Sequence, residues 1–247
     1  MTFARSCSLW LSLLALAGSL NAQSVSPPLA EYKERARSSF RLENASIYPI
    51  TVVLEVRGFT ISEQGEVQDT PLDTSRVHVK LSEMSFRIPP RGTRTVFYEA
   101  RSDSLPAWFN ILSAMSGAKT ENGLNVRILL PHVVYLNQKQ PLRKAEVLVH
   151  RIEFDPRRKK ARVLLENTGP HLGRVYQLTL SDGRSTAQPA GGFPLLPHRR
   201  RWAETDWAGA TAPSRLAIRF AKFNIDTLIS PLPASLAADS TAGAPRP

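Results

Sequence analysis

Apolar side chains recur at every second position between residues 123 and 136, which read GLNVRILLPHVVYL. Side chains of a β-strand alternate between its two faces, so this spacing predicts a strand with one apolar face. The stretch before it, SGAKTENG, has the composition of a loop, and the strand is therefore expected to emerge from a hairpin and protrude. A protruding strand offers main-chain hydrogen bonds and apolar side chains, so the chemistry predicted here is non-covalent association with a partner. The apolar set is Leu124, Val126, Ile128 and Leu130.

The titratable residues show no pattern that favours catalysis. There is no glycine-rich phosphate loop, no Gly-x-Ser-x-Gly and no pair of carboxylates that stands out. The histidines have neither metal-ligand spacing nor an adjacent nucleophile, and each is expected to be a turn or strand residue. We therefore expect no enzyme, no cofactor and no metal site. The histidines are His78, His132, His150, His171 and His198.

The first residues have the pattern of an export signal. Arg5 is followed by an apolar run over residues 9–20 and by small residues up to Ala22, which predicts a secretory signal peptide over residues 1–22. No later stretch is long and apolar enough for a membrane span, so no membrane insertion is expected. The only cysteine, Cys7, would be lost with the signal, which excludes disulfides and thiolate chemistry. An exported chain without disulfides favours a bacterial periplasm.

The chain is basic, with 32 Lys and Arg against 21 Asp and Glu and a formal charge of +11. The basic residues cluster in residues 33–37, 157–160 and 199–201. Nucleic acid is not the expected partner, because the clusters fall in turns without interleaved aromatic residues and because the chain is exported. We interpret the clusters as solvated turns that give a positive field facing an anionic envelope or an acidic partner.

Short apolar runs, separated by Gly, Pro, Asn and Asp about every ten residues, predict an all-β chain. The first set of runs fills residues 23–141 and the second fills residues 142–230, each with the strand number of an immunoglobulin-like sandwich. Leu-Glu-Asn ends a predicted strand in both halves, at Asn44 and Asn167, which favours two related modules in tandem. Residues 231–247, rich in Pro, Ala and Ser, are expected to be a disordered tail.

Several segments resemble, in order and spacing, the N-terminal domain of the PapD-like periplasmic chaperones of the chaperone/usher pilus pathway. They read LENASIYPITVVLEV, then SFRIPPRGTRTVFYEARSDSLPAWFNI, then GLNVRILLPHVVYL. No single piece is specific to the family, but their order is. The likeness extends over residues 23–229 and is strongest in the first domain.

The resemblance implies two sandwiches in a boomerang arrangement. It also implies that the seventh strand lends its edge to a pilus subunit whose fold lacks a strand, the strand-addition mode of recognition. Leu124, Val126, Ile128 and Leu130 would be the donor side chains. The alternative that these four side chains face the chain's own core stays open, above all for Ile128 and Leu130. An outer-membrane usher is the second implied partner, and an unoccupied edge would permit self-association.

The family anchors the terminal carboxylate of the subunit with an arginine and a lysine, and here those positions fall near Ser26 and Val133, which are not basic. The function implied is a periplasmic chaperone for pilus subunits, and the alternative is an exported adhesion or ligand-binding module. The basic residues that could replace the missing anchor are Arg127, His132, Lys33, Arg35 and Arg151.

Overall fold

The computed structural model describes residues 23–119, 125–189 and 191–229. The predicted signal peptide, the predicted tail and the donor candidate Leu124 lie outside the described residues. Within them, no helix is long and apolar enough to cross a membrane.

The first domain is built from strands joined by short turns. β3 and β4 alternate buried and exposed positions, as the period-two pattern predicts. The strands are β1 (Ser24–Ser26), β2 (Leu29–Lys33), β3 (Arg35–Glu43), β4 (Ile50–Ile61), β5 (Val67–Thr70), β6 (Val77–Leu81), β7 (Ser85–Ile88), β8 (Thr93–Ser102), β9 (Ala107–Lys119) and β10 (Asn125–Asn137).

Two sheets of this domain face each other. One has the order β1-β3-β8-β6, and the other has the order β2-β10-β9-β4-β5, with β7 also paired to β4. The core between them takes Phe40 and Tyr98 from the first sheet and Phe109 and Ile111 from the second. Because each sheet buries only one face, the apolar residues alternate with polar residues along the strands. The predicted sandwich is confirmed.

The second domain has the same kind of core, in which Leu165 packs with Leu180 and Trp207. Its sheets have the orders β11-β12-β17, β13-β16 and β15-β14-β18-β19. The fold class predicted for the chain, all-β with two sandwiches in tandem, is confirmed, while the domain boundary at residues 141/142 stays a prediction. The elements are a 3₁₀ turn (Lys144–Glu146), β11 (Val147–Asp155), β12 (Lys160–Asn167), β13 (Gly173–Val175), β14 (Gln177–Ser181), β15 (Thr186–Ala187), β16 (Phe193–Leu195), β17 (Arg199–Asp206), β18 (Arg215–Arg219) and β19 (Asn224–Leu228).

Asn44 and Asn167 occupy equivalent places in the two domains. Both side chains are fully buried. Asn44 Nδ2 donates to the carbonyls of Tyr48 and Ile88, and Asn167 Nδ2 donates to those of His171 and Leu195. In each domain the amide oxygen also accepts a backbone N–H from two residues further along. The shared pattern supports related modules, because the same side chain closes the same turn twice.

The domains contact each other through a small apolar cluster. Phe59, Ile61 and Tyr135 of the first domain pack with Leu172 and Leu196 of the second. Polar contacts surround the cluster. Trp202 N–H donates to the Glu63 carbonyl over 2.6 Å, and Gln138 Nε2 donates to the Leu172 carbonyl over 3.0 Å.

Candidate functional site

The strand singled out in the sequence, β10, lies near the edge of its sheet. One side pairs with β9 along most of its length. On the other side, β2 pairs in parallel only with residues 133–137. Among the described residues no strand covers that side of residues 126–132, and we call this stretch the free edge. A free edge presents unpaired main-chain groups that can accept another strand.

Alternation along β10 decides which main-chain groups the free edge presents. Val133 N–H points away from β9, because it donates to the Pro28 carbonyl over 2.9 Å. Residues two apart point the same way, so Leu129 presents its N–H and carbonyl, and Pro131 presents its carbonyl alone. Proline is tolerated at position 131 because its missing N–H falls on the unpaired side.

A β-bulge lies beside the free edge. Ile128 is opposite Met115, whereas Val126 is opposite Ala118, so β9 carries one extra residue here. Gly117 has φ +97°, and a Cβ at this position would come within 3.1 Å of the Pro49 carbonyl. A bulge strengthens the local twist of a strand pair and so re-aims the end of β10. The loop predicted over residues 116–123 is shorter at its start, because β9 continues to Lys119.

Val126, Ile128 and Leu130 are half-buried and lie on the face that looks toward the core of the first domain. Ile128 and Leu130 pack against that core. The alternative of core contact therefore holds in part for these two residues. Their remaining exposed surface, together with Val126, forms an apolar strip along the free edge. Leu129, on the opposite face, is 57% exposed.

His132 ends the free edge and is fully buried. Its Nδ1 donates to the Pro27 carbonyl over 2.7 Å, which leaves Nε2 to accept from the Tyr98 hydroxyl over 3.0 Å. The Tyr98 hydroxyl also lies 2.9 Å from that of Tyr32, and the imidazole stacks on Phe40 at 4.7 Å between ring centroids. Both nitrogens are thus occupied, and His132 packs as a core residue that ties β10 to the chain before β2.

Burial lowers the pKa of His132 below its ordinary value of 6.5, although the Pro27 carbonyl opposes the shift. The unfolded chain therefore takes up a proton near pH 6.5 that the folded protein excludes. Stability is expected to be insensitive to this group above pH 6.5 and to fall as the pH drops from there toward the folded pKa, by up to about 1.4 kcal/mol per pH unit. Urea unfolding of the protein and of His132→Gln between pH 7.5 and 5 tests this. The difference in unfolding free energy between the two proteins should shrink as the pH falls. Parallel curves of unfolding free energy against pH would contradict this expectation.

The other anchor candidates lie on separate elements. Arg127 is exposed on the free edge, and Arg35 is exposed at the start of β3 opposite Arg101. Arg151 lies on the second domain and pairs with Glu153 at 3.0 Å. Lys33 lies at the end of β2 and lines a cavity between the domains. The structure therefore does not gather these residues into one anion site.

An ion pair that was not predicted crosses the domains near this cavity. Arg174 Nε binds a carboxylate oxygen of Glu31, and the guanidinium lies 5.2 Å from the centroid of the Tyr135 ring. Burial raises the pKa of Tyr135, and the nearby charge of Arg174 opposes that shift. The pair is separated by 143 residues, so no local pattern could have indicated it. Within the described residues there is no group of three or more His, Cys, Asp or Glu that could hold a metal ion.

Comparison with known proteins identifies the fold. No family model and no curated protein matches the sequence. Among solved structures, the class 5 fimbriae chaperone CfaA is 10% identical, with 85% of this chain and all of that chain covered and a TM-score of 0.51. A chain of the Salmonella enterica complex between the SafA pilin and the SafB chaperone is 11% identical, with coverages of 86% and 99% and a TM-score of 0.52. The chain therefore has the fold of the fimbrial chaperones, and its predicted resemblance to the PapD-like family is confirmed at the level of the fold.

Proposed function

We propose that this protein is a periplasmic chaperone that captures a pilus or fibre subunit by adding β10 to the fold of that subunit and delivers it to an outer-membrane usher. The free edge is the observation that carries the proposal, because it combines unpaired main-chain groups with the apolar strip of β10. The fold supports it, since both structures matched above are fimbrial chaperones and one is bound to a pilin. The protein acts by binding and not as an enzyme.

The two parts of the free edge have different tasks. Main-chain hydrogen bonds to Leu129 and Pro131 supply affinity that depends little on the client's sequence. The alternate side chains fill the groove of the client and so give specificity. A side chain that passes from full exposure to full burial contributes on the order of 1.5 to 3 kcal/mol, and Val126, Ile128 and Leu130, which are already half-buried, would each contribute less than that. Leu124 would extend this series by one position.

The place of the client's terminal carboxylate depends on the direction of the added strand. A strand parallel to β10 would end near His132, where the buried imidazole has no free N–H for a carboxylate. An antiparallel strand would end near the exposed Arg127, whose guanidinium can bind a carboxylate through two hydrogen bonds. Arg127 is therefore the candidate that we retain for this contact. Arg127→Gln should weaken the binding of a client strand that has a free C-terminal carboxylate more than the binding of the same strand with an amidated C-terminus.

Leu129→Pro tests whether a client strand pairs with the main chain of β10, and it does so without removing a hydrogen bond to β9. The substitution deletes the outward N–H at position 129 and places the proline ring where a client strand would lie. We expect it to weaken client capture at least about tenfold, which corresponds to about 1.4 kcal/mol. The measurement is recovery of co-purifying subunit when the tagged protein is expressed in its own host and analysed by mass spectrometry.

Leu129→Ala is the matched control, since it trims the exposed side chain and keeps the N–H. It should capture the subunit as the unmodified protein does. Equal capture by Leu129→Pro and Leu129→Ala would argue against strand addition at this edge. Recovery of the unmodified protein without any stoichiometric β-rich subunit, from cells that are making fibres, would favour the adhesion or ligand-binding alternative.

A free edge without a client can also pair with a second copy of this chain. Self-association is therefore part of the proposal, and Leu129→Pro should reduce any dimer seen by analytical ultracentrifugation.

A further inference from the structure

A cavity of about 260 Å³ lies between the two domains, at the ends of β2 and β10 that are remote from the free edge. We call it the hinge cavity. Its inner wall is apolar: Leu142, Leu172 and Phe220 are buried there, and Phe220 stacks on Phe223 with ring centroids 4.5 Å apart. Cavities of this kind between domains are common ligand sites, and this one is below the range of about 300 to 1,000 Å³ that holds drug-sized molecules. It therefore suits a small ligand with an apolar part.

The rim of the hinge cavity carries more positive than negative charge. Lys33, Lys139 and Lys222 line it, and Lys139 lies 3.4 Å from Glu34. The only lining carboxylate within the described residues is Glu31, which is already bound by Arg174. Lys33 and Lys222 therefore have no carboxylate partner among the described residues, so an anionic group would be favoured beside them.

Two other cavities of the described residues differ from the hinge cavity. The hollow beside Lys80 on the outer face of β8 is open, with Arg37 and Glu99 paired at 3.1 Å on its wall. The hollow beside Arg162 on β12 is lined by charges that pair with one another, as in the 2.9 Å contact of Lys160 with Asp206 next to it. The hinge cavity, by contrast, combines an apolar wall with two lysines, Lys33 and Lys222, that have no carboxylate partner among the described residues.

We propose that the hinge cavity binds a small carboxylic acid with an apolar tail. The carboxylate lies between the ammonium groups of Lys33 and Lys222, and the tail packs on Phe223 and Leu172. The site is distinct from the free edge, because Lys33 pairs with Asn137, five residues or about 16 Å beyond His132 along β10. Since its walls come from both domains, a bound acid is expected to restrict their relative motion.

Calorimetric titration of the purified protein with octanoate tests the proposal, with octan-1-ol as the uncharged analogue. We expect saturable one-to-one binding of octanoate, at least tenfold weaker binding of octan-1-ol, and at least tenfold weaker binding of octanoate to Lys33→Gln/Lys222→Gln. The double variant Lys80→Gln/Lys144→Gln removes two exposed lysines outside the cavity and should bind as the unmodified protein does. Absence of binding, equal binding of acid and alcohol, or an unchanged affinity in Lys33→Gln/Lys222→Gln would each overturn the proposal.

A hexapeptide ending in leucine, with a free or an amidated terminus, identifies the source of the acid. Tighter binding of the free-terminus peptide than of octanoate assigns a polypeptide end, and tighter binding of octanoate assigns a free acid. These titrations need no client, so their outcome is independent of strand donation by β10.

Discussion

The double substitution Val126→Asp/Ile128→Asp is expected to reduce subunit capture by more than about 100-fold. Each aspartate replaces an apolar side chain of the free edge and would have to enter the apolar groove of the client as an unpaired charge. The two carboxylates would lose their hydration without gaining a partner, which is expected to cost more than the roughly 2.8 kcal/mol that corresponds to a hundredfold in affinity. The measurement is the amount of subunit that co-purifies with each tagged variant, normalised to the folded chaperone.

Val53→Asp is the control for a charge on the same sheet. Val53 is 50% exposed on β4 and points to the face opposite the apolar strip. It should leave capture intact. Because Ile128 packs on the core, the melting temperature of each variant is compared, and the single variant Val126→Asp serves if the double variant unfolds. Full capture by a folded Val126→Asp/Ile128→Asp variant would refute donation through this strip.

Asn44→Ala and Asn167→Ala are expected to give the largest losses of stability among single substitutions of polar residues. Each change deletes two or more hydrogen bonds inside a fully buried turn and leaves main-chain carbonyls without a donor. We expect roughly 3 kcal/mol for each in the free energy of unfolding. If the modules are equivalent, the two losses should be similar. Scanning calorimetry can assign each loss to its own domain.

Asn224→Ala is the corresponding control, since Asn224 is exposed at the start of β19. It should change stability by no more than about 0.5 kcal/mol. A loss below 1 kcal/mol for Asn44→Ala, with a large loss for Asn167→Ala, would contradict the structural equivalence of the two turns.

Much of the fold could be predicted because it depends on local patterns. The period-two alternation in β10 placed Val126, Ile128 and Leu130 on one face, and the turn after Asn44 reappears after Asn167 because the same side chain satisfies the same backbone groups. Trp108 and Phe109 are neighbours in β9 and therefore lie on opposite faces of its sheet. Phe109 is fully buried in the first core, and Trp108 packs at the domain contact with Nε1 2.8 Å from the Phe59 carbonyl.

The parts that could not be predicted depend on contacts between distant residues. Nothing around His132 indicates that its imidazole is buried under Phe40 and bound to Pro27, which lies 105 residues earlier. The position at which the free edge ends could not be predicted either. It ends where β2 begins to cover β10, at residues 133–137, through a parallel pairing that no short sequence pattern encodes. The extension of β9 beyond Ser116 depends on a bulge at Gly117, and glycine in the sequence was equally compatible with a loop.

Amide hydrogen exchange at Leu129, measured for the chaperone alone and in complex with its co-purified subunit, tests strand donation most directly. The Leu129 N–H points to the unpaired side of β10, whereas Leu130 faces its neighbour Ser113 on β9. Strand addition predicts fast exchange at Leu129 in the free chaperone and strong protection in the complex, with Leu130 protected in both. Equally fast exchange at Leu129 in the two states would show that the client binds elsewhere and would contradict the proposed function.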